Sequence, residues 1–144
     1  MQGFRRKIVY VGLYEAFAIL FASLGLAAMS GAGAAASTAL AVATSVVAVL
    51  WNLAYNTAFE AWESRQARRG RSLGRRVAHA VGFEGGLALL LVPLIAWWLD
   101  VGLWAALLMD GALLLFFLVY TFVFNTAFDR VFGLPRSAAP LREG

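Results

Sequence analysis

YVGLYEAFAILF, residues 10–21, and HAVGFEGGLALL, residues 79–90, are two versions of one pattern, an apolar run with a glutamate, Glu15 or Glu84, near its middle. The two glutamates are 69 residues apart, and that offset holds along the chain without a gap. Arg6 and Lys7 match Arg75 and Arg76, Tyr14 matches Phe83, Trp51 matches Tyr120, and NTAFE at 56–60 matches NTAFD at 125–129. The chain is a tandem duplication, and the question it poses is why a sequence so poor in charge repeats a carboxylate inside an apolar segment.

Composition identifies the solvent. Of 144 residues 62% are hydrophobic and 14% charged, with a mean hydropathy of +0.76, which is more apolar than a soluble domain of this size. Four long apolar runs, at about residues 8–29, 36–59, 77–98 and 103–127, are each near or above the roughly 20 residues that cross a bilayer core. The first run has a basic start, FRRK, like a signal peptide. It is long for one and carries Glu15, so it reads as a retained helix. The expected fold is an all-α integral membrane protein of four transmembrane helices, a tandem repeat of two-helix units, with the first helix pair in residues 1–69 and the second pair and a short tail in 70–144.

The 12 Lys and Arg residues fall in three places: residues 5–7, residues 65–76, and Arg130, Arg136 and Arg142 near the end. The connections MSGAGAAAST and WLDVGL carry none. An even number of spans puts all three basic clusters on one side, and the positive-inside rule places them, with both termini, in the cytoplasm. The same rule accounts for the net charge of +4, so no nucleic-acid partner is expected. The absence of cysteine excludes disulfides and thiolate metal sites. As the single histidine, His79 forms no two-histidine haem or metal site within one chain, and no cofactor or metal is expected.

Equal spacing gives equal depth. Glu15 follows Lys7, and Glu84 follows Arg76, by eight residues, about 12 Å at 1.5 Å per residue. On the returning helices Asn52 and Thr121 precede Glu60 and Asp129 by eight. These four share a layer with Tyr14, Trp51, Phe83 and Tyr120. Gly12, Glu15, Ala18, Ala22 and Gly25 form one stripe of helix 1, opposite Phe17, Leu20, Phe21 and Leu24. Thr38, Ser45, Asn52 and Asn56 recur on one face of helix 2, as small and hydroxyl residues do at helix contacts in lipid. GFEGG is expected to clear space beside Glu84.

Desolvation makes the charge of a carboxylate at this depth conditional on a proton or a cation. Aromatic faces beside it would hold an organic cation by cation–π contacts worth about 0.5–2 kcal/mol. Competition of the two for one carboxylate amounts to exchange across the membrane. Plainer roles stand beside this one. Glu15 and Glu84 could bridge helices as neutral acids, and Trp51 and Tyr120 could be packing aromatics. Asp110 fits an outer proton site or a capping role, His79 a hydrogen bond near Glu84 or a proton relay, and Asp100 a loop. Trp97, Trp98 and Trp104 fit an interfacial belt. Asn56 and Asn125, at matching positions, are secondary polar candidates.

RRVAHAVGFEGG (75–86), VLWNLAYNTAFE (49–60) and the repeated NTAF resemble the bacterial transmembrane pair domain of the proteobacterial antimicrobial compound efflux (PACE) transporters, over about residues 4–132. The resemblance implies a four-helix inner-membrane exporter of biocides such as chlorhexidine and dyes such as acriflavine. Polyamines or short diamines are implied native substrates, and proton entry drives export. It puts the proton-coupling glutamate at Glu15, and family positions at Trp51, Asn52, Glu84 and Asp110. Tyr10 departs from the histidine often found there. Two readings stand: a proton-coupled exporter of cations, working as a homodimer because four short helices enclose little volume, and a non-transporting membrane assembly protein whose polar layer fixes helix packing. An enzyme is not expected, since the chain has no nucleophile–base pair, phosphate loop or metal cluster.

Overall fold

The computed structural model describes residues 3–67 and 72–133. They form four helices, α1 (Gly3–Ser30), α2 (Ala34–Ser64), α3 (Leu73–Leu99) and α4 (Leu103–Phe132). All four are long and apolar enough to cross a membrane. Each reaches several residues past its apolar run into the charged flanks at the near end, where α1 begins and α4 ends. No proline stands there, and the backbone continues its own hydrogen bonding into the polar boundary. Ser72 caps α3 by accepting from the Arg75 amide. The expected boundary between units, at residues 69 and 70, lies outside the described residues, as do Arg68, Arg69, Arg71, Arg136 and Arg142.

At the far end the duplication extends to the turns. Gly31 and Asp100, equivalent positions, leave their helices with φ of 69° and 51°. Gly33 and Gly102, equivalent again, open α2 and α4 in extended conformation. Asp tolerates the left-handed region better than most residues, so the same three-residue turn is built from GAG and from DVG.

The helices pack in a ring, α1 and α3 each lying against both α2 and α4. Their shared core occupies the far half: Ala22 and Leu26 of α1, Leu40 and Ala41 of α2, Leu91 and Ile95 of α3, Ala106 and Met109 of α4. The outward faces carry Leu24, Leu53, Leu89, Leu118 and Phe122, all exposed, as lipid-facing side chains are in a protein without its bilayer. Trp97 and Trp104 are exposed at the far end, in keeping with an interfacial belt.

This shared core does not continue to the near end, where Phe128 of α4, 4% exposed, is buried apart from it against Tyr10 of α1. On α1 the core-facing stripe runs from Leu26 (0% exposed) through Ala22 and Ala18, both buried, to Val11 (55%) and Ile8 (56%). On α3 it runs from Ile95 (0%) through Leu91 to Val77 (53%). The change from buried to exposed falls at Glu15 and Glu84. The shared apolar core fills the far half, and the exposed inner faces of α1 and α3 open the near half as a cleft that begins at the level of Glu15 and Glu84.

Candidate functional site

Two aromatic seams flank this cleft, and each joins one helix of the first repeat to one of the second. Between α1 and α4, Arg6 pairs with Asp129 at 2.6 Å, the Tyr10 hydroxyl donates to the Asn125 side-chain oxygen, and the Tyr14 and Thr121 hydroxyls share a hydrogen bond of 2.8 Å. The Tyr120 hydroxyl donates to the Tyr14 carbonyl at 2.9 Å. Between α2 and α3, His79 Nε2 bonds the Asn56 side-chain oxygen at 2.8 Å, Tyr55 donates to the His79 carbonyl at 3.1 Å and the Trp51 indole N–H to the Phe83 carbonyl at 3.0 Å.

Two bonds recur between the seams. Tyr10 is equivalent to His79 and Asn125 to Asn56, so one polar pair occurs twice; Tyr120 is equivalent to Trp51 and Tyr14 to Phe83, so one ring-to-carbonyl bond occurs twice. Duplication of a two-helix unit followed by packing about a twofold axis yields this crossed pairing.

Of the expected layer, Tyr14, Thr121 and Tyr120 meet in one seam and Trp51 and Phe83 in the other, while Asn52 and Glu84 are exposed and no hydrogen bond joins them to either group among the described residues. Tyr14 lies 5.1 Å from the Tyr120 ring and 5.3 Å from Phe124. Trp51 spends its N–H on Phe83 and packs tilted against Tyr55 at 5.3 Å, leaving ring surface rather than a donor for a ligand. Asn56 Nδ2 donates to the side-chain oxygen of Asn52 at 3.1 Å; Asn52 is exposed. His79 bonds Asn56 and not Glu84, and sits among Phe59 at 4.7 Å, Tyr55 at 5.3 Å and Phe83 at 6.3 Å.

The glycines of GFEGG also differ from the expectation. A Cβ on Gly86 would meet the Trp51 indole, and one on Gly82 the Tyr55 ring, whereas Gly85 faces open space. Two glycines admit aromatic rings of α2; they do not clear room for Glu84.

The two glutamates have different surroundings. Glu15 is half-buried and accepts a hydrogen bond of 2.6 Å from Ser45. Glu84 is exposed, and accepts no hydrogen bond among the described residues. Leu114 stands where the repeat would supply the counterpart of Ser45. Asp110 is half-buried on α4 at the position equivalent to the core residue Ala41, near enough to Glu84 for the two charges to interact. Ser45 is the residue that sequence reasoning left among helix-contact residues; its signal was the seven-residue spacing that puts it on the face of Asn52.

One sequence fact completes the electrostatics. No Lys or Arg occurs between Lys7 and Arg65, or between Arg76 and Arg130. Glu15, Glu84 and Asp110 thus have no Lys or Arg counter-ion inside the apolar runs, the setting in which intramembrane acids are by default functional candidates. Among the described residues no acidic or histidine cluster suits a metal ion.

Four apolar helices in two equivalent pairs, around a cleft with acidic groups at its floor, define a small multi-pass membrane protein of the transporter class. A family profile described as chlorhexidine efflux transporter matches residues 2–65 and again 71–134, one match per repeat. The chain belongs to that family, the bacterial transmembrane pair or PACE transporters, and is a membrane transporter of small cationic compounds. Its relatives include a short-chain diamines transporter of Vibrio parahaemolyticus, 35% identical over 125 residues, 87% of this chain and 89% of the relative. Proteins of the same description from Acinetobacter baylyi and Acinetobacter baumannii are 31% and 32% identical over 127 residues, each covering 88% of this chain and 89% and 88% of their own. No solved structure matches the chain. Of the two readings that the sequence left open, membership in a family of transporters favours transport over a purely structural assembly role.

Proposed function

We propose that the protein is a proton-coupled exporter of organic cations in the bacterial inner membrane, with both termini cytoplasmic, and that its substrates include short diamines and chlorhexidine- or acriflavine-like compounds. The observation that carries this reading is the uncompensated acidic floor of a cleft open at the near end. With the basic clusters in the cytoplasm, that cleft faces the cytoplasm and the core fills the periplasmic half. A cation entering it meets Glu15 and Glu84, the ring faces of Tyr14, Trp51 and Tyr120, and the amide of Asn52. Cation–π contacts of about 0.5–2 kcal/mol supplement the carboxylates, and two carboxylates suit a substrate with two positive charges.

Glu15 is the exchange group: ionised, it holds the cation, and a proton arriving from the periplasmic side, with Asp110 on its route, displaces it. Asn56 and Asn125 position the seams, and His79 takes its place there through Asn56. The helix pairs 1–69 and 70–144 are the two structural units, and two protomers associate in parallel as a homodimer. Diamine names come from the relatives; the breadth towards biocides comes from the family.

The test is transport in proteoliposomes. Uptake of 1,4-diaminobutane or chlorhexidine against a concentration gradient, driven by an imposed pH difference, is expected from the intact protein and lost in Glu15→Gln. Equal uptake by that variant would refute exchange at Glu15.

A further inference from the structure

Repeat symmetry supplies two glutamates, and the structure makes them unequal through one side chain. Ser45 donates to Glu15 Oε2 at 2.6 Å from the neighbouring helix, the length of a charge-assisted O–H to carboxylate bond. Its repeat equivalent, Leu114, has nothing to donate to Glu84. The bond lies where the core ends and the cleft begins, one turn on the near side of buried Ala18. Deeper in the bundle the Ser23–Thr38 bond of 2.7 Å joins the same two helices. Ser45 therefore meets Glu15 at the level where a cation would arrive.

We propose that Ser45 is the positioning residue of the exchange, selecting Glu15 over Glu84 by holding its carboxylate in the ionised, cation-accepting form; the proposal rests on the reading of Glu15 as the exchange group. A hydroxyl that donates to a carboxylate stabilises the anion and fixes one oxygen, leaving Oε1 to the cation. Other groups around Glu15 do not substitute for it. On α2, neither Ser45 nor Asn52 titrates. On α4, the Tyr120 phenol lies within electrostatic range of Glu15 but donates to the Tyr14 carbonyl. On α1 itself, the Tyr14 phenol is bonded to Thr121. On α3, Glu84 adds a like charge at the equivalent level and no donor, His79 is bonded to Asn56, and no Lys or Arg occurs between Lys7 and Arg65 or between Arg76 and Arg130.

The sign follows. A cation that competes with a proton for one carboxylate binds more tightly as pH rises. Without the Ser45 donor the anion is less favoured, the proton is held to higher pH, and the midpoint of the affinity-against-pH curve moves up. Removing a hydrogen bond to a charged group corresponds to about one pH unit.

The experiment measures binding of 1,4-diaminobutane to the purified full-length protein from pH 5 to 9 by calorimetry. The expected results are a midpoint raised by about one unit in Ser45→Ala, a midpoint near wild type in Ser45→Thr, and no further effect of Ser45→Ala once Glu15→Gln is present. Ser45→Cys, which keeps the volume and donates weakly, is expected between them and serves if the alanine variant does not fold. A midpoint unchanged in both Ser45→Ala and Ser45→Cys, with pH dependence lost in Glu15→Gln, overturns the role of Ser45 alone. Wild-type pH dependence in Glu15→Gln overturns the reading of Glu15 itself, and the proposal with it.

Discussion

Gly86 and Gly85 are chemically identical neighbours with opposite tolerance for a methyl group. A Cβ on Gly86 would enter the space of the Trp51 indole, while one on Gly85 meets nothing within 4 Å. Gly86→Ala must displace a ring whose N–H is bonded to Phe83, an overpacking cost of about 1–3 kcal/mol. Gly85→Ala should be neutral or slightly stabilising, since alanine favours helix. Thermal unfolding in detergent is expected to separate the two variants clearly, and equal midpoints would mean that Trp51 does not pack on Gly86.

This pair also marks the limit of sequence reading at the residue scale. That GFEGG lies at the depth of Trp51 and Asn52 follows from counting residues, and the acids were found by their cost in lipid. Counting gives depth but not azimuth between helices. It could not tell which glycine receives a ring and which lies open, nor that Ser45 rather than Asn52 would reach Glu15.

The seams set the behaviour of the elements. Arg6 ends one of them: besides pairing with Asp129, it donates to the terminal carbonyls of α4 at Phe132 and Gly133 and lies 4.9 Å from the Phe128 ring centroid. A cation at a helix C-terminus offsets the macrodipole, and a guanidinium does so while engaging several acceptors at once. With Asp129 38% exposed, solvent screening limits the effect, and Arg6→Ala should cost about 1–2 kcal/mol. Arg6→Lys should recover part of that, because it keeps the charge but not the fork. Unfolding midpoints ordered wild type, lysine, alanine would support the cap; an alanine variant as stable as wild type would contradict it.

The helices themselves, their turns and their duplication were legible because hydropathy and the 69-residue offset are properties of the chain. Crossed pairing was not, since a repeat states which positions are equivalent and is silent on which are partners. Tyr10 illustrates this. In the sequence it is a departure from the family's histidine, whereas in the bundle it donates to Asn125 much as His79 meets Asn56.

At the scale of the whole molecule, one bundle has a filled half and an open half, and the carboxylates lie where the two meet. On the proposed reading, the cation reaches a site at that boundary from the near side, and exchange requires that proton and cation occupy Glu15 in turn. Two protomers packed in parallel would present both clefts to the same compartment, consistent with the placement of the basic residues.

Proton release on binding tests the central claim most directly. Chlorhexidine or 1,4-diaminobutane is added to purified protein in weakly buffered detergent solution near neutral pH, and released protons are followed with a pH dye for wild type and Glu15→Gln. Glutamine keeps the shape and much of the hydrogen bonding but does not titrate. The account predicts release from wild type and none from the folded variant. Cation binding to wild type with no proton released from near pH 5 to 8, or equal release from both proteins, would contradict it.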